Sequence, residues 1–421
     1  MYNNSIMQNT YEILTNLKNS IHRNLNDKFI LEQLNLLHPD YPIILIGGTN
    51  GKGSTCEYLT NILISSGLKV GTFTSPHIFE YNERIRINKL PIADEILAST
   101  LQFILHKLPC VPTVFSILHS ACHLIFKQQQ IDVAVIEVGI GGQNDVTNLI
   151  HPNFSAITNV SLDHCNILGE TVTEIAKEKV GIFRRNNPNF FGNRTQIEYM
   201  NQYTQLHQMP LFQLGKDYDF QLIAKHWNYI SKELNISNIP LPLMPGIHQL
   251  ENAALSIAIV NKFNPAIKNE HIISGILATQ LPGRFHLVQS QPPIIIDVAH
   301  NQDAVNQLLV NLEQANSSSH NIAVFAMRSD KEWETCISLC ASYFETWFIA
   351  PIDSELSCDP QKIKKCILKF NSLAKITLCD SIRSATLLAV KQQRSQQTIV
   401  CFGSFLVAQE AYTAIKKLNA N

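Results

Sequence analysis

Short apolar runs alternate with longer segments of helical period along most of the chain. The first run covers residues 43–46 and the strongest covers residues 133–138, and both are followed by glycine-containing turns. Helices are predicted between and around them over 54–66, 93–107 and 113–130. Continuous apolar strands separated by helices are typical of a parallel sheet that is covered on both faces. The first half of the chain is therefore predicted to be an α/β domain.

The same alternation starts again near residue 294, after a weakly patterned stretch over 216–243 that we interpret as an antiparallel excursion. At 421 residues the chain is too long for one ordinary core. The dipeptide Pro282-Gly283 is the best candidate boundary because it follows a predicted helix and precedes new strands. We predict a mostly parallel sheet domain over 1–281 and a smaller Rossmann-like α/β domain over 282–421. Residues 1–40 are predicted to be helical and to flank the first strand.

A glycine-rich turn joins the first predicted strand to the first long helix. Its sequence, Gly48-Thr49-Asn50-Gly51-Lys52-Gly53-Ser54, lets backbone N–H groups converge on an anion at a helix N-terminus. A lysine charge and a serine hydroxyl at this point suit the phosphates and the magnesium ion of a nucleoside triphosphate. We therefore predict an ATP-type loop of the P-loop kind, with these nucleotide-binding residues: Asn50, Gly51, Lys52, Gly53 and Ser54.

One residue departs from the usual phosphate-loop pattern, because Gly53 stands where serine or threonine normally follows the lysine. The alternative is a glycine-rich strand-to-helix turn with a surface lysine. The inserted glycine argues against that alternative, since the loop resembles the variant loop of the Mur ligase superfamily, ATP-dependent enzymes that join a carboxylate to an amine.

Polar residues stand at the carboxyl ends of four predicted strands. They are Ser54, Ser75, Glu137 and His164. In open α/β sheets ligands bind outside these strand ends, and a buried unpaired carboxylate such as Glu137 would cost several kcal/mol. We favour Mg²⁺ held by oxygen ligands and one imidazole. Each residue alone also has a structural explanation, and His164 could equally be a capping or hydrogen-bonded core histidine.

Two further stretches leave alternatives open. The alternating charged and apolar residues of 82–88 fit a functional segment or a solvated edge strand. Asp297, His300 and Asn301 follow the first strand of the second domain, where they form either a site or a helix cap by Asn301 with an uninvolved histidine.

Composition narrows the classes of function. The net charge is -1, with 33 basic and 34 acidic residues, so no general positive field favours nucleic acid or a membrane surface. Ten cysteines include no Cys-x-x-Cys pair, and Cys336 and Cys340 are interpreted as buried thiols. No signal peptide and no long apolar run are found, which favours a cytoplasmic protein.

The whole chain, from the phosphate loop to the last helix, resembles a folylpolyglutamate synthase of the bacterial type that also acts as dihydrofolate synthase. The resemblance depends on the phosphate loop and seven further motifs in the same order: Thr74-Ser75-Pro76-His77, Glu83-Arg84-Ile85, Glu137-Val138-Gly139-Ile140-Gly141-Gly142, Leu162-Asp163-His164, Glu178-Lys179-Val180-Gly181-Ile182, Pro282-Gly283-Arg284-Phe285 and Asp297-Val298-Ala299-His300-Asn301.

The resemblance implies roles for residues that chemistry alone leaves unassigned. It implies that Ser75, Glu137 and His164 hold magnesium, two ions in all, and that Lys179 is carbamylated to become a metal ligand. It further implies that ATP is reached from across the domain gap by Asn252, Arg284 and Asp297. It implies catalytic roles for Lys52, Lys179 and His300.

The resemblance also implies the substrates, which are ATP, L-glutamate and dihydropteroate or a reduced folate, and it implies a monomer. L-Glutamate is assigned Arg84, His300 and Ser404, and the pterin pocket is assigned Thr113, Phe115 and Asp145. The reaction implied is phosphorylation of a carboxylate by ATP, followed by attack of the glutamate amine on the acyl phosphate.

The departures from the family pattern concern the pterin pocket. Ser116 stands where the family has glutamate after phenylalanine, and Gln143-Asn144 replace an arginine and a leucine. Two alternatives follow: a ligase of the same fold that acts on a non-folate carboxylate, or a non-catalytic ATP-binding relative. The second is disfavoured by the retention of five residues of the family's site: Lys52, Glu137, His164, Lys179 and Asp297.

Overall fold

A computed structural model describes residues 9–18, 27–109, 112–195, 198–315 and 321–419. The chain forms two compact units. The first unit comprises Met1–Val160, Thr173–Leu241 and Leu250–Thr279, and the second comprises Ser161–Val172, Pro242–Gln249 and Gln280–Asn421. Two short segments, around residues 165 and 245, therefore group with the C-terminal part of the chain.

The α-helices follow in chain order: α1 (Thr10–Lys18), α2 (Asp27–Gln33), α3 (Lys52–Ser65), α4 (Asp94–Lys107), α5 (Val114–Gln129), α6 (Cys165–Leu168), α7 (Val172–Val180), α8 (Glu198–Leu206), α9 (Ile247–Phe263), α10 (Asn269–Leu277), α11 (Gln302–Gln314), α12 (Trp333–Cys340), α13 (Pro360–Phe370), α14 (Ile382–Gln392) and α15 (Phe405–Asn419).

The strands are as follows: β1 (Ile43–Gly47), β2 (Val70–Phe73), β3 (Ile85–Ile87), β4 (Leu90–Pro91), β5 (Val133–Glu137), β6 (Phe154–Ile157), β7 (Asn189–Phe191), β8 (Leu211–Gln213), β9 (Tyr218–Ile223), β10 (His226–Ser231), β11 (Asn235–Pro240), β12 (His286–Ser290), β13 (Pro293–Ile296), β14 (Asn321–Phe325), β15 (Phe344–Ile349), β16 (Lys375–Leu378) and β17 (Ile399–Phe402).

The first unit is built on an eight-stranded sheet in the order β4-β3-β2-β5-β1-β6-β7-β8. Six neighbouring strands are parallel, namely β2, β5, β1, β6, β7 and β8. Strands β3 and β4 add an antiparallel edge beside β2. Residues of β1, β2 and β5 are buried throughout because helices cover both faces of the sheet. A separate antiparallel sheet, β11-β10-β9, corresponds to the predicted excursion.

Helix α3 is buried on nearly all sides from Ser54 to Leu63. One side faces the sheet and another faces α10, where a Cβ on Gly275 would lie 2.5 Å from the backbone of Ile62. Glu57 on this helix binds Arg86 of β3 at 2.7 Å. Arg86 is 12% exposed, so the solvated edge strand considered for this stretch is wrong for this arginine.

Two histidines of α5 and one tyrosine form a chain of polar contacts in the core of the first unit. The Tyr41 hydroxyl lies 2.8 Å from His123 Nδ1, and His123 Nε2 lies 3.1 Å from His119 Nε2. Both imidazoles are fully buried. Burial lowers the pKa of His123 to about 3, and burial together with His123 lowers the pKa of His119. Both histidines are therefore neutral at pH 7.

The second unit contains a six-stranded sheet in the order β12-β13-β17-β14-β15-β16. The five neighbouring strands β13, β17, β14, β15 and β16 are parallel. Strand β12 pairs antiparallel with β13 at one edge. Helices α11 to α13 cover one apolar core, and α14 and α15 cover the other. The sequence predicts the other parallel strands and the helices, but it misses β12 and β16, which are short and mix apolar with polar residues.

The α/β class and the mostly parallel sheet of the first unit are confirmed. The cysteines of the described ranges are free thiols, and Cys336 and Cys340 are buried as predicted. In the portion covered by the structure, none of the helices combines the length and the apolar character needed to cross a membrane. Of the helical flank expected over 1–40, the structure has α1 and α2, while residues 34–40 are turns and bends and residues 1–8 and 19–26 lie outside the described ranges.

Candidate active site

The turn between β1 and α3, here called the phosphate turn, comprises residues 48–51. Gly48 has φ +138°, and a Cβ there would lie 1.9 Å from Thr158 Oγ1. Gly51 has φ +82°, and a Cβ there would lie 2.5 Å from Asn252 Oδ1. Any other residue at these two positions would be strained and would displace its neighbours. Glycine at both positions therefore lets the turn pack directly against Thr158 and Asn252 at the N-terminus of α3.

Two residues that follow β6 hold this turn in place. The N–H of Thr49 donates to the Asn159 carbonyl at 3.0 Å, and the N–H of Asn50 donates to Asn159 Oδ1 at 2.8 Å. The Thr158 hydroxyl donates to the Asn50 carbonyl at 2.5 Å. Sequence reasoning missed both residues, although their position directly after an apolar strand was an available signal.

Lys52 and Lys179 both bind the same backbone oxygen. Lys52 Nζ donates to the Gly48 carbonyl at 3.0 Å and to the Thr49 carbonyl at 3.1 Å. Lys179 is buried on α7, and its Nζ donates to the Gly48 carbonyl at 2.9 Å. The two side chains therefore meet at the phosphate turn, as the sequence predicts only for Lys52. Two ammonium groups on one carbonyl repel each other, which favours a bound anion or loss of one charge.

Glu137 and Ser75 meet at the end of neighbouring strands. The Glu137 side chain ends β5 and is 4% exposed, and its Oε2 accepts the N–H of Ser75 at 3.1 Å. Ser54 is buried in the first turn of α3. Because β2, β5 and β1 are adjacent and parallel, all three residues lie along one edge of the sheet. Their carboxylate and hydroxyl oxygens fit a hard divalent cation.

His164 belongs to a different unit from the other predicted metal ligands. It lies in Ser161–Val172, which groups with the second unit, whereas Ser54, Ser75, Glu137 and Lys179 lie in the first. Within the residues that the structure describes, no group of three His, Cys, Asp or Glu side chains is arranged to hold a metal.

Asn252 lies beside the phosphate turn. Its Oδ1 accepts the Thr55 hydroxyl at 3.3 Å, and it belongs to the first unit. The expectation that Asn252 reaches the nucleotide from across a domain gap is therefore wrong. The chain returns to the turn through α9, and a contact between residues so distant in sequence has no local signal.

The residues assigned to the pterin are placed by the start of α5 and by the loop after β5. Thr113 caps α5, where its Oγ1 accepts the N–H of Ser116 at 3.1 Å. Phe115 is half-buried against Phe73 and would touch a Cβ on Gly139. Phe115 thus marks the point where the helix and the loop approach each other.

Asp145 organises the loop after β5. It accepts N–H groups from Ile140 at 3.1 Å and from Thr147 at 2.9 Å, and it accepts the Thr147 hydroxyl at 2.6 Å. Burial raises the pKa of Asp145, although these hydrogen bonds oppose the rise. Much of its hydrogen-bonding capacity is therefore taken up inside the loop.

The second unit contains a polar cluster around Asp163, a residue that sequence reasoning quoted in a motif but gave no role. Lys331 Nζ binds Asp163 Oδ1 at 2.5 Å and lies 3.3 Å from His164 Nε2. His300 Nε2 lies 3.9 Å from Asp163 Oδ2, and the Asn301 amide donates to that oxygen at 3.4 Å. Lys331 was missed altogether, because no strong motif surrounds it.

The charges of this cluster are set by opposing effects. Burial disfavours ionisation of Asp163, but Lys331, His300 and His164 outweigh it and hold the pKa of that carboxyl well below its usual range. Burial, with Lys331, lowers the pKa of His300 to about 4. The His300 Nδ1 lies 2.7 Å from the Val298 carbonyl, so the neutral ring carries its proton there.

Three predicted site residues of the second unit accept hydrogen bonds from backbone N–H groups: Asp297, Asn301 and Ser404. Asp297 accepts from Phe285 and from Ala299, both at 2.7 Å, and burial raises its pKa. Asn301 caps α11, as one of the two open interpretations has it, and Ser404 accepts the N–H of Val407 at the start of α15. Arg284 stacks 5.7 Å from the Phe405 ring centroid.

Known proteins resemble the chain over nearly all of its length. Residues 113–260 match the family model of the Mur ligase middle domain, and residues 283–405 match the Mur ligase, glutamate ligase domain. A dihydrofolate synthase/folylpolyglutamate synthase of Buchnera aphidicola subsp. Acyrthosiphon pisum is 32% identical, with 91% of this chain and 92% of the relative covered.

Two solved structures have the same fold and contain ligands. E. coli FolC in complex with DHPP and ADP superposes with a TM-score of 0.91 at 26% identity, covering 98% of this chain and 99% of that one. A bifunctional folylpolyglutamate synthase/dihydrofolate synthase with Mn, AMPPNP and L-glutamate bound gives 0.87 at 28% identity, covering 96% and 97%. The chain belongs to the dihydrofolate synthase/folylpolyglutamate synthase family of Mur ligases.

Proposed function

We propose that the chain is an ATP-dependent ligase that adds L-glutamate to the carboxylate of a folate-type substrate. The observation that carries the proposal is the glycine-rich turn at the N-terminus of α3, where Gly48 and Gly51 have positive φ and Lys52 Nζ lies on the turn's own carbonyls. The solved relatives bound to ADP, to AMPPNP and L-glutamate, and to DHPP support the same set of ligands for this chain.

The reaction proceeds in two steps. The substrate carboxylate attacks the γ-phosphorus of ATP, which forms an acyl phosphate and releases ADP. The amine of L-glutamate then attacks the acyl carbon, inorganic phosphate leaves, and an amide with one lost proton results. Lys52 neutralises charge on the transferring phosphoryl group, and no protein nucleophile is needed.

We assign two Mg²⁺ ions to Ser54, Ser75, Glu137, His164 and Lys179, and the meeting of the Glu137 carboxylate with Ser75 supports this assignment. These cations supply charge neutralisation at the phosphates. Lys179 joins this set after its neutral amine has combined with CO₂ to form a carbamate and a proton. The close approach of Lys179 to Lys52 at one carbonyl supports this, because the carbamate removes a repulsive positive charge.

The substrate roles are assigned as follows. Arg284 and Asp297 serve the nucleotide together with Asn50, Gly53 and Asn252. Arg84, His300 and Ser404 bind L-glutamate, and His300 also acts in catalysis. The pterin is bound by Thr113, Phe115 and Asp145. The enzyme acts as a monomer in the cytoplasm, with a domain boundary at residues 281/282.

Phosphate release tests the proposal directly. Purified enzyme with ATP and L-glutamate is expected to release phosphate when dihydropteroate, tetrahydrofolate or methylene-tetrahydrofolate is added, and mass spectrometry should find the acceptor heavier by one glutamyl residue. Phosphate release without an amide product would contradict ligation.

A ligase of the same fold for a non-folate carboxylate is the second candidate. It is favoured by Ser116, which is buried and lies 2.7 Å from the Thr113 hydroxyl, where the family has a glutamate. Turnover with no pterin or folate, together with turnover of another carboxylate, would select this candidate.

A further inference from the structure

The loop after β2 fixes the side chain of Arg84 in a particular way. The Arg84 Nε donates to His77 Nδ1 at 2.9 Å. Since the guanidinium group is only a donor, His77 Nδ1 must be the acceptor, and the ring proton lies on Nε2. The hydrogen bond from Arg84 Nε therefore requires the His77 tautomer that is protonated at Nε2.

The other two guanidinium nitrogens are left for a ligand. Across the described ranges, neither terminal nitrogen of Arg84 has a hydrogen-bond or ion-pair partner in the protein. The group lies over the Tyr81 ring at 5.5 Å, so one face is covered. A planar guanidinium with both terminal nitrogens available matches the two oxygens of a carboxylate.

His77 is itself held by rings and by a rigid loop. Its imidazole packs on Tyr81 with ring centroids 4.3 Å apart, and Tyr81 is 9% exposed. The Glu83 carboxylate accepts the N–H groups of Ile78, Phe79 and Glu80 at 2.9–3.3 Å. The histidine therefore has little freedom to turn away from Arg84.

We infer that His77 is a positioning residue that holds Arg84 so that its terminal nitrogens face a carboxylate of the amino-acid substrate. The inference rests on the proposed function, in which Arg84 binds L-glutamate. The arginine side chain has many rotamers, and its ordering opposes binding when it occurs only as the substrate arrives. His77 orders the group beforehand, so its loss weakens glutamate binding more than it slows the chemical steps.

The competing explanation is that His77 only packs against Tyr81, and two substitutions separate the possibilities. His77→Phe keeps a ring on Tyr81 but removes the acceptor. His77→Asn loses the ring but places an amide oxygen close to the position of Nδ1. A positioning role predicts that asparagine is the milder change, whereas a packing role predicts that phenylalanine is.

Steady-state kinetics of the full chain measure the effect. For His77→Phe we expect KM for L-glutamate to rise about tenfold or more, the factor for a lost hydrogen bond to a charged group, with KM for ATP unchanged and kcat within a factor of about three. His77→Asn should stay within about threefold of the wild type in KM for L-glutamate. Thermal unfolding of each variant checks that the fold is kept.

A double-mutant cycle distinguishes failure of this inference from failure of the proposed function. His77→Phe added to Arg84→Ala should change KM for L-glutamate no further, because the partner of His77 is already gone. An unchanged KM in Arg84→Ala alone would overturn the glutamate role of Arg84. A normal KM in His77→Phe, with a raised KM in Arg84→Ala, would overturn only the positioning role.

Discussion

Lys52 is the side chain whose charge enters the phosphate turn, and its hydrogen bonds to the turn's own carbonyls keep it there. Lys52→Ala is expected to lower kcat/KM at least about a thousandfold, since a group that stabilises transition-state charge is lost. Phosphate release measures this, and unchanged circular dichroism shows that the fold remains. Lys127→Ala, an exposed change on α5, is the matched control. Near-normal turnover of Lys52→Ala at saturating ATP would contradict the assignment of the turn.

Lys179 is buried at the same carbonyl, where a free ammonium adds to the positive charge of Lys52. Lys179→Ala is expected to abolish activity, and formate or acetate should restore part of it, because either one replaces the missing anion. Activity of the wild type should rise with bicarbonate, as the carbamate forms from CO₂. Mass spectrometry under native conditions checks for the added CO₂. Activity of Lys179→Ala without any additive would remove this role.

Helix α5 packs two neutral histidines into the core of the first unit, and this makes stability depend on pH. Their pKa values are lowered in the folded protein, to about 3 for His123, and the unfolded value is near 6.5. The stability that comes from keeping the two rings neutral is therefore complete above pH 6.5. It is lost as the pH falls below 6.5, at a slope approaching about 1.4 kcal/mol per pH unit for each histidine.

Urea unfolding between pH 8 and pH 4 tests this dependence. The free energy of unfolding of the wild type should fall below pH 6.5, and a variant with both His119→Met and His123→Met should show a shallower fall. Acidic groups elsewhere add to the slope in both proteins, so the difference between them is the informative quantity. Equal slopes would show that the two histidines are not the source.

The start of α5 and the loop after β5 carry the departures from the family pattern. Ser116 is used within the helix cap, and Gln143 packs against Gly181, where a Cβ would lie 2.4 Å from its side chain. The carboxylate and the guanidinium that these residues replace are absent from the pocket assigned to the pterin. Calorimetry is expected to find weaker binding of dihydropteroate than of a reduced folate. Equal and tight binding of both would show that the two substitutions are harmless.

The sequence predicts the elements of the parallel sheets well, because their strands are continuous apolar runs between helices of clear period. It also predicts the phosphate turn, whose glycines, lysine and serine are consecutive. It fails for β12 and β16, which are short and have a weak pattern, and for the buried pair of Glu57 and Arg86. Lys331 and Asn252 show the same limit, since their contacts join segments far apart in sequence and depend on tertiary packing.

At the scale of the whole molecule, the two units have separate hydrophobic cores. Calorimetric unfolding is therefore expected to show more than one transition. Since the phosphate turn lies in the first unit, AMPPNP at one hundred times its Kd should stabilise that unit by about 2.7 kcal/mol. Trp227 is in the first unit, whereas Trp333 and Trp347 are in the second, so single-tryptophan variants assign the transitions.

Lys52→Ala is the control for this shift, because it should unfold alike with and without AMPPNP. One cooperative transition, with equal calorimetric and van't Hoff enthalpies, would instead show that the two units unfold together.

The Glu83 carboxylate binds backbone N–H groups of its own loop, the loop after β2. The N–H groups of Ile78, Phe79 and Glu80 converge on this carboxylate, and a backbone cradle of this kind attracts any anion. The Glu83 side chain is the anion in this loop, and it is covalently attached to the same chain. A phosphate from solution would have to displace it. Glu83 thus occupies the anion site that its own loop would otherwise offer, which removes one competitor for the nucleotide's phosphates near the turn that carries Lys52.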